Sequence, residues 1–128
     1  MNLVKKGMLK CFSDGFILDL TIYEAVNVVW KEYYLLNKIS MDTAAKFIEV
    51  LSKIFEVISV LSVKGLESEV FNIAVKHGLT IYDASYVTVA MRRKLTLVTD
   101  DKELRETVSH IVKTVTSDDL TKTQRLSP

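Results

Sequence analysis

Residues 79–101 read LTIYDASYVTVAMRRKLTLVTDD, and this stretch decides the fold. Ala84, Val87 and Met91 recur at helical spacing, which predicts a helix over residues 80–94 with one face turned inward. Leu95-Thr96-Leu97-Val98-Thr99 is short, apolar and rich in β-branched side chains, as suits a buried strand. Asp100-Asp101 then opens a short helix over residues 101–108. A helix that feeds a buried strand, which feeds another helix, is the repeating unit of an α/β protein.

The same alternation extends outward. Strands are expected at Phe16-Ile17-Leu18, Val57-Ile58-Ser59-Val60 and residues 111–115. Helices are expected over residues 5–12, 21–37 and 64–76, the last closed by Gly78. Another starts at Ser40-Met41-Asp42, with Ala44, Phe47, Ile48 and Leu51 on one face. Residues 117–128 read as a polar tail. The only proline is Pro128 and there are four glycines, so residues 1–128 are expected to form a single compact domain. Its sheet should be mostly parallel and covered on both faces. Ligands of such sheets bind beyond the carboxyl ends of the strands, where the chain turns into the next helix.

Composition narrows the class. With 48% hydrophobic and 26% charged residues, the chain is not a disordered one. One cysteine, Cys11, excludes an internal disulfide. Seventeen basic against sixteen acidic side chains leave +1, too little for nucleic-acid binding by bulk charge, although a local basic patch is compatible with it. The longest uncharged run is the eight residues 84–91, where a membrane-spanning helix needs about 20. No apolar stretch comes after Lys5, Lys6 and Lys10 that would make a signal peptide. The expectation is a soluble, cytoplasmic protein without a membrane partner.

Leu20-Thr21-Ile22-Tyr23-Glu24-Ala25 is nearly repeated as Leu79-Thr80-Ile81-Tyr82-Asp83-Ala84. Each copy opens a helix and sets a carboxylate three residues after a threonine. One reading is a pair of capping boxes. The other takes in a third acidic helix start, Val98-Thr99-Asp100-Asp101, and has all three converge on one edge of the sheet. Clustered carboxylates repel unless a cation neutralises them. Oxygen-only donors suit a hard ion, Mg²⁺ or Mn²⁺. His77 and His110 lack ligand-spaced partners and read as surface or structural residues, so nothing suggests zinc. A carboxylate-held Mg²⁺ commonly serves phosphodiester chemistry.

On these residues the chain resembles the PIN-domain ribonucleases, and among them the toxins of VapBC-type toxin–antitoxin pairs. The resemblance runs from about Asn2 to Val115 and rests on residues 20–27, 78–86 and 97–101 in that order. It implies a three-layer α/β/α fold with a central, mostly parallel sheet. It also implies an Mg²⁺- or Mn²⁺-dependent endoribonuclease, commonly a homodimer, silenced by a cognate antitoxin protein. Carried over position by position, Glu24, Asp83 and Asp101 match the family's later acids. Asp100 is a neighbour that shares or replaces Asp101, Thr99 is the hydroxyl that orients the site, and Asn27 supports it. The family opens with a strand in the middle of the sheet that ends in Asp followed by Ser or Thr. Residues 1–7 resemble the segment just past that strand, and Asp14, the first carboxylate, falls in the wrong place. The first strand and first acid are therefore expected to be missing, with bare edges left on both sides of the gap. Either the natural start lies upstream, the preferred reading, or this form is weak or inactive. A catalytically degenerate module that dimerises or binds a partner is the alternative. A phosphatase or receiver-like domain would need an Asp pair on its first strand, which this chain lacks.

For the RNA, Lys5, Lys6 and Lys10 on the expected first helix are candidate phosphate contacts, and Lys31 is a weaker one. Arg92-Arg93-Lys94 lies a helix length from Asp83 and reads as a solvated C-terminal turn. Trp30, Tyr33, Tyr34 and Phe47 read as core and hairpin packing, with an interface for an antitoxin or second subunit as the other option. Cys11 reads as a small buried apolar residue.

Overall fold

A computed structural model describes residues 9–120. Five short strands alternate with helices: β1 (Cys11–Phe12), β2 (Phe16–Leu18), β3 (Ser59–Leu61), β4 (Leu97–Val98) and β5 (Thr114–Val115). The helices are α1 (Asp19–Trp30), α2 (Met41–Val57), α3 (Glu67–His77), α4 (Ile81–Arg93) and α5 (Lys102–Val108), with α1 running on into a π-helical turn, Lys31–Leu35. The sheet is in two pieces: β2 pairs with β3 in parallel, and β4 lies between parallel β5 and antiparallel β1. Helices α1 and α2 pack together, as do α3 and α4, and with the strands they form an α/β/α arrangement.

Cys11–Phe12 was expected to be helical and is a strand instead. Asp14 (φ 65°) and Gly15 (φ 79°) turn the chain back on itself after Ser13, whose N–H donates to Thr96 O at 3.0 Å. Phe12 then faces Leu97 across the ladder and its ring lies 5.9 Å from that of Tyr86. This pairing spans most of the chain, so no local pattern announces it. It also covers the β4 edge, one of the two that were expected to be bare. The rest of the expected first helix, residues 5–8, lies outside the described residues.

Other boundaries move for local reasons. Helix α2 starts as expected, with Ser40 Oγ accepting from Thr43 N at 3.1 Å. It runs on through Val57, so the strand begins at Ser59, where pairing with Phe16 fixes its register. Helix α3 starts at Glu67 because Gly65, at φ 89°, makes a turn whose N–H donates to Glu67 Oε1 at 2.9 Å. That bond holds the exposed Glu67 carboxyl below its usual range. Gly78 closes α3 in the left-handed region, as read from sequence. The expected tail is in part structured: residues 117–120 are helical, and Thr116 and Asp119 cap each other at 3.1 and 3.0 Å.

Helix α4 is the hub. Every residue from Ala84 to Ala90 is buried, as expected of a helix enclosed on all sides. Tyr86, Val87 and Val89 pack with Leu18, Leu97, Leu104 and Val108, while Ala25, Val28 and Val29 of α1 meet Ala44 and Leu51 of α2. The Thr88 hydroxyl is buried in α4 without a hydrogen-bond partner. Among the described residues, no helix is long and apolar enough to cross a membrane.

In urea unfolding, Leu97→Ala in fully buried β4 is expected to lose about 2–5 kcal/mol. Thr88→Val, which removes the partnerless hydroxyl at nearly constant volume, is expected to gain about 1 kcal/mol.

Candidate active site

Thr80 caps α4, its Oγ1 accepting from Asp83 N at 3.1 Å, which sets Asp83 in the first turn. The Asp83 carboxylate is part-exposed, and its Oδ1 lies 3.2 Å from Nζ of Lys10, whose side chain is only 8% exposed. Lys10 precedes β1 in an extended segment, not on a helix, and its ammonium sits 5.8 Å from the centre of the Tyr86 ring. It is thus a buried partner of Asp83, a role that its reading as a surface phosphate contact did not anticipate.

Tyr86 lies one turn beyond Asp83 on α4 and donates its hydroxyl hydrogen to Glu24 Oε1 on α1. Thr21 Oγ1 is 2.9 Å from the Tyr86 oxygen and 3.1 Å from Lys10 O, and its single proton serves one or the other. Burial, then the hydrogen bond to Glu24, holds the Tyr86 phenol well above the ordinary tyrosine range, so it stays protonated as a donor. Thr80 therefore caps its helix, with the Asp83 carboxylate turned to Lys10, and the capping reading fails for Thr21. Helix α1 begins two residues before Thr21, at Asp19, and the Thr21 side chain points into the protein instead of capping.

At the other helix start, buried Thr99 accepts from Asp101 N at 3.2 Å, and Asp101 caps α5 by accepting from Leu104 N at 3.2 Å. Arg105 Nη1 donates to Thr99 O at 3.0 Å and braces the same corner. Asp100 turns the other way: Ser117 donates to it from N at 2.9 Å and from Oγ at 2.8 Å. Sequence reasoning left Asp100 and Asp101 open. Asp101 shares a pocket lining with Asp83, whereas both Asp100 oxygens are engaged by Ser117.

Asp83 and Asp101 line one pocket of about 250 Å³ with Thr80, Glu103 and Thr107. Glu24 and Asn27 line a wider one of about 530 Å³ with Tyr23 and Tyr82. Lys10 and Tyr86 form a polar bridge between them, from Asp83 to Glu24. Among the described residues, no group of three or more His, Cys, Asp or Glu is placed to hold a metal ion. The oxygen donors have the right chemistry for Mg²⁺ or Mn²⁺. Their arrangement fits such an ion only in part, because Glu24 is tied to Tyr86 and Asp83 is already neutralised by Lys10.

Sequence reasoning gave Tyr86 no role, although its i+3 spacing from Asp83 put both on one side of α4. Nothing local marks Lys10 or Ser117. Trp30 and Tyr34 are exposed and stacked at 5.5 Å rather than packed in the core, while Tyr33 and Phe47 pack against the α1–α2 core. His77, read from sequence as a surface or structural residue, lines the pocket of Asp83 and Asp101, and its ring meets that of His110 at 5.6 Å. Arg92 pairs with Glu69 at 3.3 Å.

The family profile described as PIN domain matches residues 4–109. The chain belongs to the PIN-domain family. Two similar curated proteins come from Pyrobaculum aerophilum. Exonuclease VapC9 is 46% identical over 88 residues, 69% of this chain and 62% of that protein. Ribonuclease VapC3 is 36% identical over 89 residues, 70% of this chain and 67% of that protein. This PIN domain thus spans under two thirds of the first relative's length. The crystal structure of PAE2754 from the same organism superposes with a TM-score of 0.71 at 35% identity, covering 88% of this chain and 77% of that one.

Burial, with help from the charge of Asp100, pushes the Cys11 thiol up from 9.0 to about 11. Alkylation at pH 7.5 should therefore run roughly 100-fold slower than for an unshielded thiol, and should accelerate as pH rises toward that value. Mass spectrometry of quenched time points reads both.

Proposed function

We propose that this PIN domain is a divalent-metal nuclease that hydrolyses RNA phosphodiester bonds, with Mg²⁺ or Mn²⁺ gathered by Asp83 and Asp101 and completed by Glu24. One observation carries the reading: Asp83 and Asp101, from the first turns of two different helices, line a single pocket. The names of the relatives, one an exonuclease and one a ribonuclease, support the same class. A bound cation would activate water and offset the charge that builds on the phosphate.

The chain's own residues position the acids. The Thr80 cap holds Asp83 in place, and buried Thr99 holds Asp101. Tyr86 donates to Glu24 and fixes the direction of its carboxylate. Asn27 shares the Glu24 pocket and stands ready to bond substrate. Asp100 tethers the C-terminal turn through Ser117. Lys5 and Lys6, outside the described residues, are kept as phosphate contacts. The reading carries with it a cytoplasmic site of action, a homodimer and a cognate antitoxin protein. The exposed Trp30–Tyr34 stack offers such a partner an aromatic face.

A second reading, a PIN module that binds a partner without cleaving, is favoured by the Lys10–Asp83 pair and by the lack of a three-acid group among the described residues.

A circular single-stranded RNA incubated with the protein and Mn²⁺ or Mg²⁺ separates the readings. Opening of the circle shows internal cleavage, whereas cutting of linear RNA alone shows end-directed cleavage. Glu24→Gln, Asp83→Asn and Asp101→Asn are each expected to cut at least about 100-fold more slowly with unchanged circular dichroism. Asp100→Asn is expected to lower the melting temperature more than the rate. Equal rates in the first three variants would sink the nuclease reading, and no cleavage by the parent protein with either ion supports the second.

A further inference from the structure

We propose that Lys10 is a built-in cation that competes with the divalent ion for Asp83. This rests on the reading of Asp83 as a metal ligand and adds a control to it. The Lys10 side chain is 8% exposed and its ammonium lies 3.2 Å from Asp83 Oδ1. An ammonium that far out of water is held only where a partner offsets its charge. Two further contacts keep it there. Its ammonium lies 5.8 Å from the centre of the Tyr86 ring, and its carbonyl oxygen is within hydrogen-bond reach of Thr21 Oγ1 at 3.1 Å. The next two residues are β1, paired to β4 at Cys11–Val98 and Phe12–Leu97. The main chain beneath the ammonium is therefore held by Thr21 of α1 and by the sheet.

A divalent ion on Asp83 would stand within a few ångströms of this ammonium, in a setting that screens charge weakly. The two cations exclude each other. With Lys10 in place, the charge of Asp83 beside Asp101 is offset without an ion. For an ion to enter, the ammonium must swing away from Oδ1. Lys10 thereby sets how much free divalent ion the site needs.

The test is titration of Mn²⁺ into the full 128-residue chain, with free Mn²⁺ read by electron paramagnetic resonance and heat by calorimetry. Lys10→Met is expected to bind Mn²⁺ about tenfold or more tightly than the parent, Lys10→Arg to bind like the parent, and Asp83→Asn to lose the site. The melting temperature of Lys10→Met should fall without Mn²⁺, since Asp83 loses its partner, and should rise on adding Mn²⁺ by more than the parent's does. If Lys10→Met does not fold, Lys10→Gln is read in its place. Unchanged or weaker Mn²⁺ binding by the folded Lys10 variant, with Asp83→Asn still losing the site, overturns the competition and leaves the metal reading standing. Parent-like binding by Asp83→Asn overturns both.

Discussion

The Tyr86 hydroxyl joins the two halves of the molecule. It is carried on α4, the most deeply buried helix, and it reaches Glu24 and Thr21 on α1. A phenol this far from water must find partners. The partners available here are the acid and the threonine of the first LTIYEA-type repeat, while Tyr86 itself lies just past the second. The two repeat copies are thus bound to each other through one side chain. Lys10 completes the arrangement from a third direction, its ammonium near the Tyr86 ring and paired with Asp83.

Much of this was legible in the sequence because the signals are local. Thr80 and Ser40 announce helix starts by hydroxyls that accept from N–H groups three residues on, and Gly78 announces a helix end by adopting positive φ. The strand character of Leu97-Val98 follows from its composition. Where the reading failed, distant residues decided. Cys11–Phe12 has the pattern of a helix end, yet the turn at Asp14-Gly15 and the ladder with β4 make it a strand. Thr21 has the spacing of a cap, yet a buried phenol and a carbonyl draw its hydroxyl inward.

The acids show the same division. Two lie at the helix start where the sequence put them, Asp83 in the first turn of α4 and Asp101 as the cap of α5, while Glu24 falls a turn into α1 because that helix begins at Asp19. Which of Asp100 and Asp101 faces the pocket depended on Ser117, far along a segment read as a tail. Glu24 faces its own pocket, and its link to Asp83 runs through Tyr86 and a lysine with no motif around it.

Strand β1 contributes only two residues to the ladder. A ladder that short is held by few hydrogen bonds, so it detaches at a lower free energy than the buried strand beside it. Lys10 directly precedes it, so this short ladder also sets where the partner of Asp83 leaves the main chain. The exchange rates of the Cys11 and Phe12 amide hydrogens then gauge how firmly the partner of Asp83 is anchored.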